Sequence, residues 1–373
     1  MKIPGLTIAL LGLCAVPIAQ AQNSLTLYGM VDSGIEYSKA GSATQTRVIS
    51  GGAAGSRVGF RGNEDLGDGL NAIFRLEMGF LSDDGSLGQG GRMFGRESSL
   101  GLSSKDWGTL SLGRLPLPYY LVQSRVDAFG WIGNGGLLAI TRSGPTFNGQ
   151  LAPQAVSARV DNAVGYQAPL IGRVQVRALV AAGEKSPTQG RNYSLSAAYT
   201  ANDLDLVAGW ARQRGGGDNG GKIDSVVVGG SYNFGWMKAF AGYTEEANSC
   251  STCTGALARL PGIAAGREST FRIINVGARF PIGLLTLVGQ ITRIQDRSDY
   301  AALTGDRDVT FPGVGLEYRI SKRTLAYAGL ATVNNKNGSS YAIGTGTAQR
   351  TSNNVGPGDP RSWTTAVGMN HTF

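Results

Sequence analysis

Leu70-Asn71-Ala72-Ile73-Phe74-Arg75-Leu76-Glu77-Met78-Gly79-Phe80 is the stretch on which the fold turns. Leu70, Ala72, Phe74, Leu76, Met78 and Phe80 fall on one face, and Asn71, Ile73, Arg75, Glu77 and Gly79 on the other. A helix would mix the two sets, whereas a strand, whose side chains alternate, keeps them apart. The same period of two returns over Tyr193–Tyr199, Leu204–Trp210 and Leu325–Val333. Charges at alternate positions of an apolar strand are costly in a dry core. They are expected where one face meets lipid and the other meets water.

Outward from this strand, the punctuation is uneven. Short turns stand at Asp65–Asp68, Lys105–Gly108, Pro169–Gly172, Asn202-Asp203, Gly235, Pro281–Gly283 and Ser321-Lys322. They alternate with long polar segments at 38–54, 81–92, 115–157, 185–191, 214–221, 247–269, 296–308 and 336–361. Eight long segments and seven turns divide the chain into sixteen strands. Tight turns on one side, long loops on the other and an even strand count are the pattern of an outer-membrane barrel. A soluble β-sandwich also alternates but needs no such rhythm. Tyr28, Tyr37, Phe80, Trp107, Tyr166, Tyr199, Trp236, Phe280, Trp363 and Phe373 collect toward strand ends, as girdles at two membrane interfaces would. The expected fold is all-β, a sixteen-stranded antiparallel up-and-down transmembrane barrel with long outer loops and short periplasmic turns.

Residues 1–21 read as a secretory signal peptide, with 22–373 as one barrel domain. Lys2 precedes the apolar run Ile8–Val16, which is too short to span a bilayer, and Ala19-Gln20-Ala21 is a small-x-small cleavage site. No stop-transfer pattern follows, and Leu13 stands before Cys14 where a lipoprotein signal needs a small residue. Beyond residue 21 no apolar run is long enough for a transmembrane helix. The 57 glycines argue against a mainly helical chain. The net charge of +8 falls to +7 when Lys2 leaves with the signal. The basic residues are scattered singly, often beside Asp or Glu, which is not the footprint of a nucleic-acid protein.

Cys250 and Cys253 lie in a Ser/Thr/Gly-rich stretch on an oxidising export route and read as a loop disulfide. The alternatives, a redox pair or half of a metal site, lack a βαβ context and a second ligand pair. Catalytic material is thin. His371 is the single histidine and faces outward by parity, leaving little for a Ser-His-Asp or histidine metal site. Glu64/Asp65 and Glu245/Glu246 are adjacent and so point to opposite faces of a strand. Gly51–Gly55 has no strand–turn–helix context for phosphate. Asp299, Asp306 and Asp308 read as a solvated acidic loop, with a divalent cation as the alternative. No enzyme, cofactor or metal is expected.

Several segments resemble the Gram-negative general porins of the trimeric, sixteen-stranded kind, especially those of β-proteobacteria. They are Leu25–Asp32 (LTLYGMVD), Ser56–Leu70 (SRVGFRGNEDLGDGL), Ala72–Glu77 (AIFRLE), Val160–Tyr166 (VDNAVGY) and the tail Val367–Phe373 (VGMNHTF). The resemblance runs from residue 22 to the end with diverging loops; each motif is weak alone, and their order and spacing are specific. It implies a water-filled outer-membrane channel for passive diffusion of small hydrophilic solutes and ions. It also implies a homotrimer in outer-membrane lipid, a third loop folded into the barrel, and Phe373 as the signal read by the assembly machinery. Two departures stand out. The family tail carries a basic residue where Asn370 stands, and Ala128–Gly136 lacks the Glu of the family's Pro-Glu-Phe-Gly-Gly-like third-loop stretch.

Sixteen strands enclose more space than side chains fill, so water occupies it. With Val58 and Phe60 outward, Arg57 and Arg61 face the lumen, joined by Arg75 and Glu77 from the next strand. With Val160 and Val164 outward, Arg159 and Asp161 face inward, and Arg177 does so between Val176 and Ala178. The plain reading makes these wall residues. The sharper one is a basic ladder at the constriction, for which the family resemblance singles out Arg57, Arg96 and Arg159. Arg96 shares parity with Leu100 and Leu102 and would need a bulge to reach the lumen. Segment 115–157 is long and oddly apolar, so it should fold onto something, bringing Arg125, Asp127 and Arg142 to the narrowest point. The expected function is a diffusion channel with an anion preference. The alternatives are a channel selective for organic acids or phosphate, and a barrel acting mainly as a surface adhesin or membrane enzyme.

Overall fold

The computed structural model describes residues 24–40, 43–130, 135–136, 156–184, 190–214, 221–249, 268–297, 308–336, 343 and 361–373. Its strands are β1 (Ser24–Ala40), β2 (Ala43–Ser50), β3 (Arg57–Gly67), β4 (Leu70–Gly79), β5 (Glu97–Ser104), β6 (Gly108–Pro116), β7 (Arg159–Gln167), β8 (Val174–Ala181) and β9 (Asn192–Ala201). They continue with β10 (Leu204–Arg214), β11 (Lys222–Asn233), β12 (Lys238–Ser249), β13 (Glu268–Ile282), β14 (Leu285–Asp296), β15 (Val309–Arg319), β16 (Thr324–Asn335) and β17 (Arg361–Thr372). Apart from β2 and β3, each pairs antiparallel with its neighbour in sequence, and β1 pairs with β17 to close the ring. β2 and β3 are two halves of one stave, because β1 pairs β2 through Ser33–Ala40 and β3 through Ser24–Met30. The ring is therefore a closed sixteen-stranded all-β barrel.

Register fixes the two faces. Leu25, Leu27, Val31 and Ile35 are exposed on the outside of β1, as are Phe60, Phe74, Leu100 and Leu112 on the following staves. A soluble protein would not leave such a band bare; a lipid-facing barrel must. The opposite face carries the polar set, with Arg61 across from Arg75, and Arg75 across from Ser99. Closing the sheet also removes every edge, so each strand's backbone groups have partners without water.

The first expected long segment, 38–54, is mostly strand. β1 runs to Ala40 and β2 begins at Ala43, so only 41–42 separate them. Its Thr/Gln-rich composition concealed an alternating strand, with Val48 exposed outside and Arg47 paired to Glu36 at 2.7 Å inside. The real interruption is 51–56, a Gly/Ala run that leaves the wall beside Asp32. Asp32 is fully buried and holds this run in place: its Oδ2 accepts from the Ala53 and Ala54 amides at 3.1 and 2.9 Å. The same carboxylate accepts from Tyr327 Oη on β16 at 2.8 Å and from Asn370 Nδ2 on β17 at 3.0 Å. The last two staves, β16 and β17, are thus bound to one buried carboxylate on β1, and Asn370 serves it as a neutral amide donor.

Candidate functional site

The described part of the third loop lies inside the barrel. It opens with a short helix, Pro118–Gln123, whose leading proline is suited to a first helical position, and tightens into a 3-10 turn at Ser124–Val126. A track of inward glycines seats it. A Cβ on Gly209 would stand 2.7 Å from Val122, one on Gly242 2.8 Å from Val126, one on Gly277 2.6 Å from Ala128, and one on Gly315 2.8 Å from the Phe129 ring. Glycine is required along this track because the loop occupies the space a side chain would take.

Hydrogen bonds pin the loop along the same line. The Tyr119 amide donates to Ser194 Oγ at 3.0 Å, and Ser225 Oγ donates to the Tyr119 hydroxyl at 2.7 Å. Asn275 Nδ2 donates to Val126 O at 2.5 Å, Gln290 Oε1 accepts from the Ala128 amide at 2.8 Å, and Arg279 Nη1 donates to Ala128 O at 2.9 Å. Tyr119, Val122 and Val126 are buried, and burial pushes the Tyr119 phenol up, so it remains a neutral hydrogen-bonding group.

The loop's other side looks onto a cavity of about 750 Å³ lined by Arg61, Arg75, Glu97, Gln167 and Arg177 from the wall and Pro118 and Leu121 from the loop. Around and above it the wall is strongly basic. Arg75 pairs with Glu97 at 3.2 Å and Arg96 with Glu77 at 2.6 Å, while the Tyr28 hydroxyl donates to Glu77 at 2.9 Å. Arg61 lies over the Tyr28 ring at 5.5 Å, Arg57 donates to Met30 Sδ at 3.4 Å, and Arg177 donates to Gln167 Oε1 at 2.9 Å. Among the described residues no carboxylate forms an ion pair with Arg57, Arg61 or Arg177. Five arginines of this wall, Arg57, Arg61, Arg75, Arg96 and Arg177, face two glutamates, Glu77 and Glu97.

Several expected placements change. Arg96 needs no bulge, because β5 begins at Glu97; the residue precedes the strand and its guanidinium turns to Glu77 regardless of parity. Val160 faces the interior, buried with Leu115 and Leu179. The pairing of β6 with β7 shifts between Gly113 and Leu115, at Asn162 with φ 54°, and this bulge inverts the parity of the residues before it, toward the third loop. Asp161 consequently leaves the expected lumen set and is held by Arg114 at 2.5 Å, between the inward Gly113 and Leu115, and by Arg92 at 2.6 Å. Arg159 at the strand's start stands over the Tyr120 ring of the third loop at 5.6 Å. Tyr28, grouped by sequence with the girdles, faces the lumen. Asp127 is buried, not pore-lining: its carboxylate turns back to accept from the Phe129 amide at 3.0 Å. Arg125 reaches the wall as a bidentate partner of Asp205 and donates to Thr200 at 2.6 Å, so its charge is matched. Arg142, Cys250 and Cys253 lie outside the described residues.

Sequence reasoning passed over Glu97, Asp205 and the glycine track. Glu97 was legible, since it stands directly across from Glu77 and shares parity with Ser99. The glycines carried no signal of their own among 57.

Residues 7–338 match the family model described as Gram-negative porin. An outer membrane porin protein of Bordetella pertussis is 28% identical over 351 residues, covering 83% of this chain and 89% of its own. Outer membrane porin protein 32 of Delftia acidovorans is 30% identical over 347 residues, covering 90% and 91%. Among solved structures, an anion-selective porin from Comamonas acidovorans aligns with TM-score 0.76 and 26% identity over 94% of this chain and 100% of its own. The trimer form of OmpT from Vibrio cholerae aligns with TM-score 0.68 and 16% identity over 94% and 99%.

Proposed function

Because the chain belongs to the Gram-negative porin family, whose fold and relatives point to an outer-membrane channel, we propose that it acts as a channel rather than an enzyme and that its pore passes small hydrophilic solutes by diffusion and prefers anions. The observation that carries this reading is the wall of five arginines against two glutamates, with Arg57, Arg61 and Arg177 outside any ion pair among the described residues. The described third loop supplies no opposing free carboxylate, since Asp127 is buried and Arg125 is matched by Asp205. The solved Comamonas relative, described as anion-selective, points the same way. A low-dielectric wall focuses such charge into the opening and raises the local anion concentration.

Planar-bilayer reversal potentials in a potassium chloride gradient test it. Wild-type channels should be anion-selective near 0.1 M, where the Debye length is about 10 Å, and lose that preference toward 1 M, where it is about 3 Å. Replacing Arg57, Arg61 and Arg177 together with Gln should move the reversal potential toward cations with little change in stability. A cation-selective wild type overturns the reading. The convergence of Arg61, Arg75 and Arg177 on one cavity favours a second reading, a pore with a preferred organic acid or phosphate; conductance that saturates with one such solute would establish it.

We also propose that residues 1–21 are removed on export and that the channel is a homotrimer. Outward Gly29, Val31, Thr365 and Val367 make a small, moderately apolar face on β1 and β17 suited to packing of barrel on barrel. Light scattering in mild detergent should give three protein masses, and a monomer would count against it.

A further inference from the structure

We propose that the cavity under the third loop is a binding site for a small aryl carboxylate, an anion with one charged end and a ring-sized apolar body. The cavity lies on the short-turn side of the loop: Asn63, Thr109 and Gln167, each within a few residues of a short turn, line it. Arg57, Arg96 and Arg159 are not among its lining residues, so it is separate from the basic ladder nearer the outer loops. This inference rests on the channel reading and narrows its second form, a preferred organic acid or phosphate, to one chemistry.

One half of the cavity is apolar. Ile73, Leu115 and Leu179 from the wall meet Pro118 and Leu121 from the loop. Ile73 stands on the lumen face between Asn71 and Arg75, where a water-filled barrel favours a polar residue. Leu121 is 37% exposed inside the channel, and Leu115 and Leu179 belong to one buried apolar cluster. A hydrated inorganic ion gains nothing from apolar surface here. A solute with an apolar body gains by removing that surface, and its own, from water.

The other half presents cations. Arg61 and Arg75 stand across from each other on β3 and β4, and Arg177 reaches in from β8. Glu97 engages Arg75 at 3.2 Å. Arg177 donates its Nε to Gln167 Oε1 at 2.9 Å, which orients the guanidinium, and its two terminal nitrogens have no partner among the described residues. Those nitrogens can meet one carboxylate through two parallel hydrogen bonds. A flat ring suits the site as well, because guanidinium groups stack on aromatic faces, as Arg61 does on Tyr28 at 5.5 Å. A volume of about 750 Å³, lined by apolar side chains with a few directed polar groups, is the make-up of a small-molecule site. Phosphate would use the cations alone and leave the apolar half against water.

Calorimetry of the intact barrel in mild detergent and planar-bilayer recording provide the test, with benzoate as the probe. Benzoate should bind, and should reduce the chloride current saturably, at a concentration about tenfold or more below that needed for acetate or inorganic phosphate. Benzamide, which keeps the ring and loses the charge, should bind about tenfold or more weakly than benzoate. Leu121→Ser should lower the preference for benzoate over acetate about fivefold, and Arg177→Gln should weaken benzoate about tenfold. Equal binding of benzoate, acetate and phosphate by the wild-type protein, a measurement that needs no variant, would mark a plain anion site and overturn the proposal while leaving an anion-preferring channel in place. Benzamide binding as tightly as benzoate would reduce the cavity to apolar contact and overturn it too. So would an unchanged benzoate affinity in both variants. A cation-selective reversal potential with selective benzoate binding retained in calorimetry would uphold this site and overturn the anion preference, so the two failures are distinct.

Discussion

Gly242→Val should release the third loop from the wall and raise single-channel conductance severalfold while leaving the barrel intact. The added Cβ would stand 2.8 Å from the Val126 side chain and 2.5 Å from Asn275 Oδ1, and Asn275 is the donor that holds Val126 O. Overpacking of this kind costs about 1–3 kcal/mol. The wall cannot relieve it, because β11, β12 and β13 are fixed to one another along their full ladders. The loop can, since it is attached through a handful of side-chain hydrogen bonds and the contact with the glycine track. The strain is therefore released by displacement of Val126 and its neighbours into the lumen or out of it. Planar-bilayer recording separates the outcomes: larger, noisier steps are expected. An unchanged conductance in a correctly assembled variant would show that the segment does not limit the pore.

Asp32→Ala should be the most destabilising single substitution in the barrel. Four donors converge on this carboxylate from three places in the chain: the adjacent Ala53 and Ala54 amides, the Tyr327 hydroxyl and the Asn370 amide. Removing the acceptor strands all of them in a buried site, where each unsatisfied group costs about 1–3 kcal/mol. Some will find water, so the expected loss is about 3–5 kcal/mol, the size seen when one partner of a buried charged cluster is removed. Asp32→Asn keeps an acceptor and should lose much less. Urea unfolding of the protein reconstituted in lipid vesicles measures both. A loss below about 1 kcal/mol for the alanine variant would mean that 51–56 re-anchors elsewhere.

What the sequence revealed and what it hid follow from the range of the forces involved. Strand parity is local and reads directly: Arg61, Arg75, Glu77 and Arg177 face the lumen because their neighbours face lipid. Composition misled where a polar strand resembled a loop, as at Ala43–Ser50. Parity failed wherever the backbone left regular alternation. The bulge at Asn162 turned Val160 inward and Asp161 away, and Arg96 escaped the rule by preceding its strand. Partners distant in sequence were out of reach. Nothing near Arg125 announces Asp205, 80 residues on, and nothing near Asp32 announces Tyr327. A charge that looks free in sequence can be matched in space, so the residues able to act on a passing ion had to be sorted by their neighbours.

The buried carboxylate at the seam also bears on how the molecule reaches its closed form. Asp32 and Asn370 are 338 positions apart, so the pairing of β1 with β17 is among the most non-local contacts the chain makes. Contacts of such high order form late, because the intervening chain must be ordered before the entropy of closing so large a loop is recovered. Until then the partly built sheet has two open edges, β1 and β17, each a row of unpaired amides and carbonyls beside an apolar face. Such an intermediate is sticky toward copies of itself. Substitutions at Asp32 should therefore lengthen the lifetime of the open sheet as well as weaken the closed one, and their yield in refolding should fall steeply as protein concentration rises.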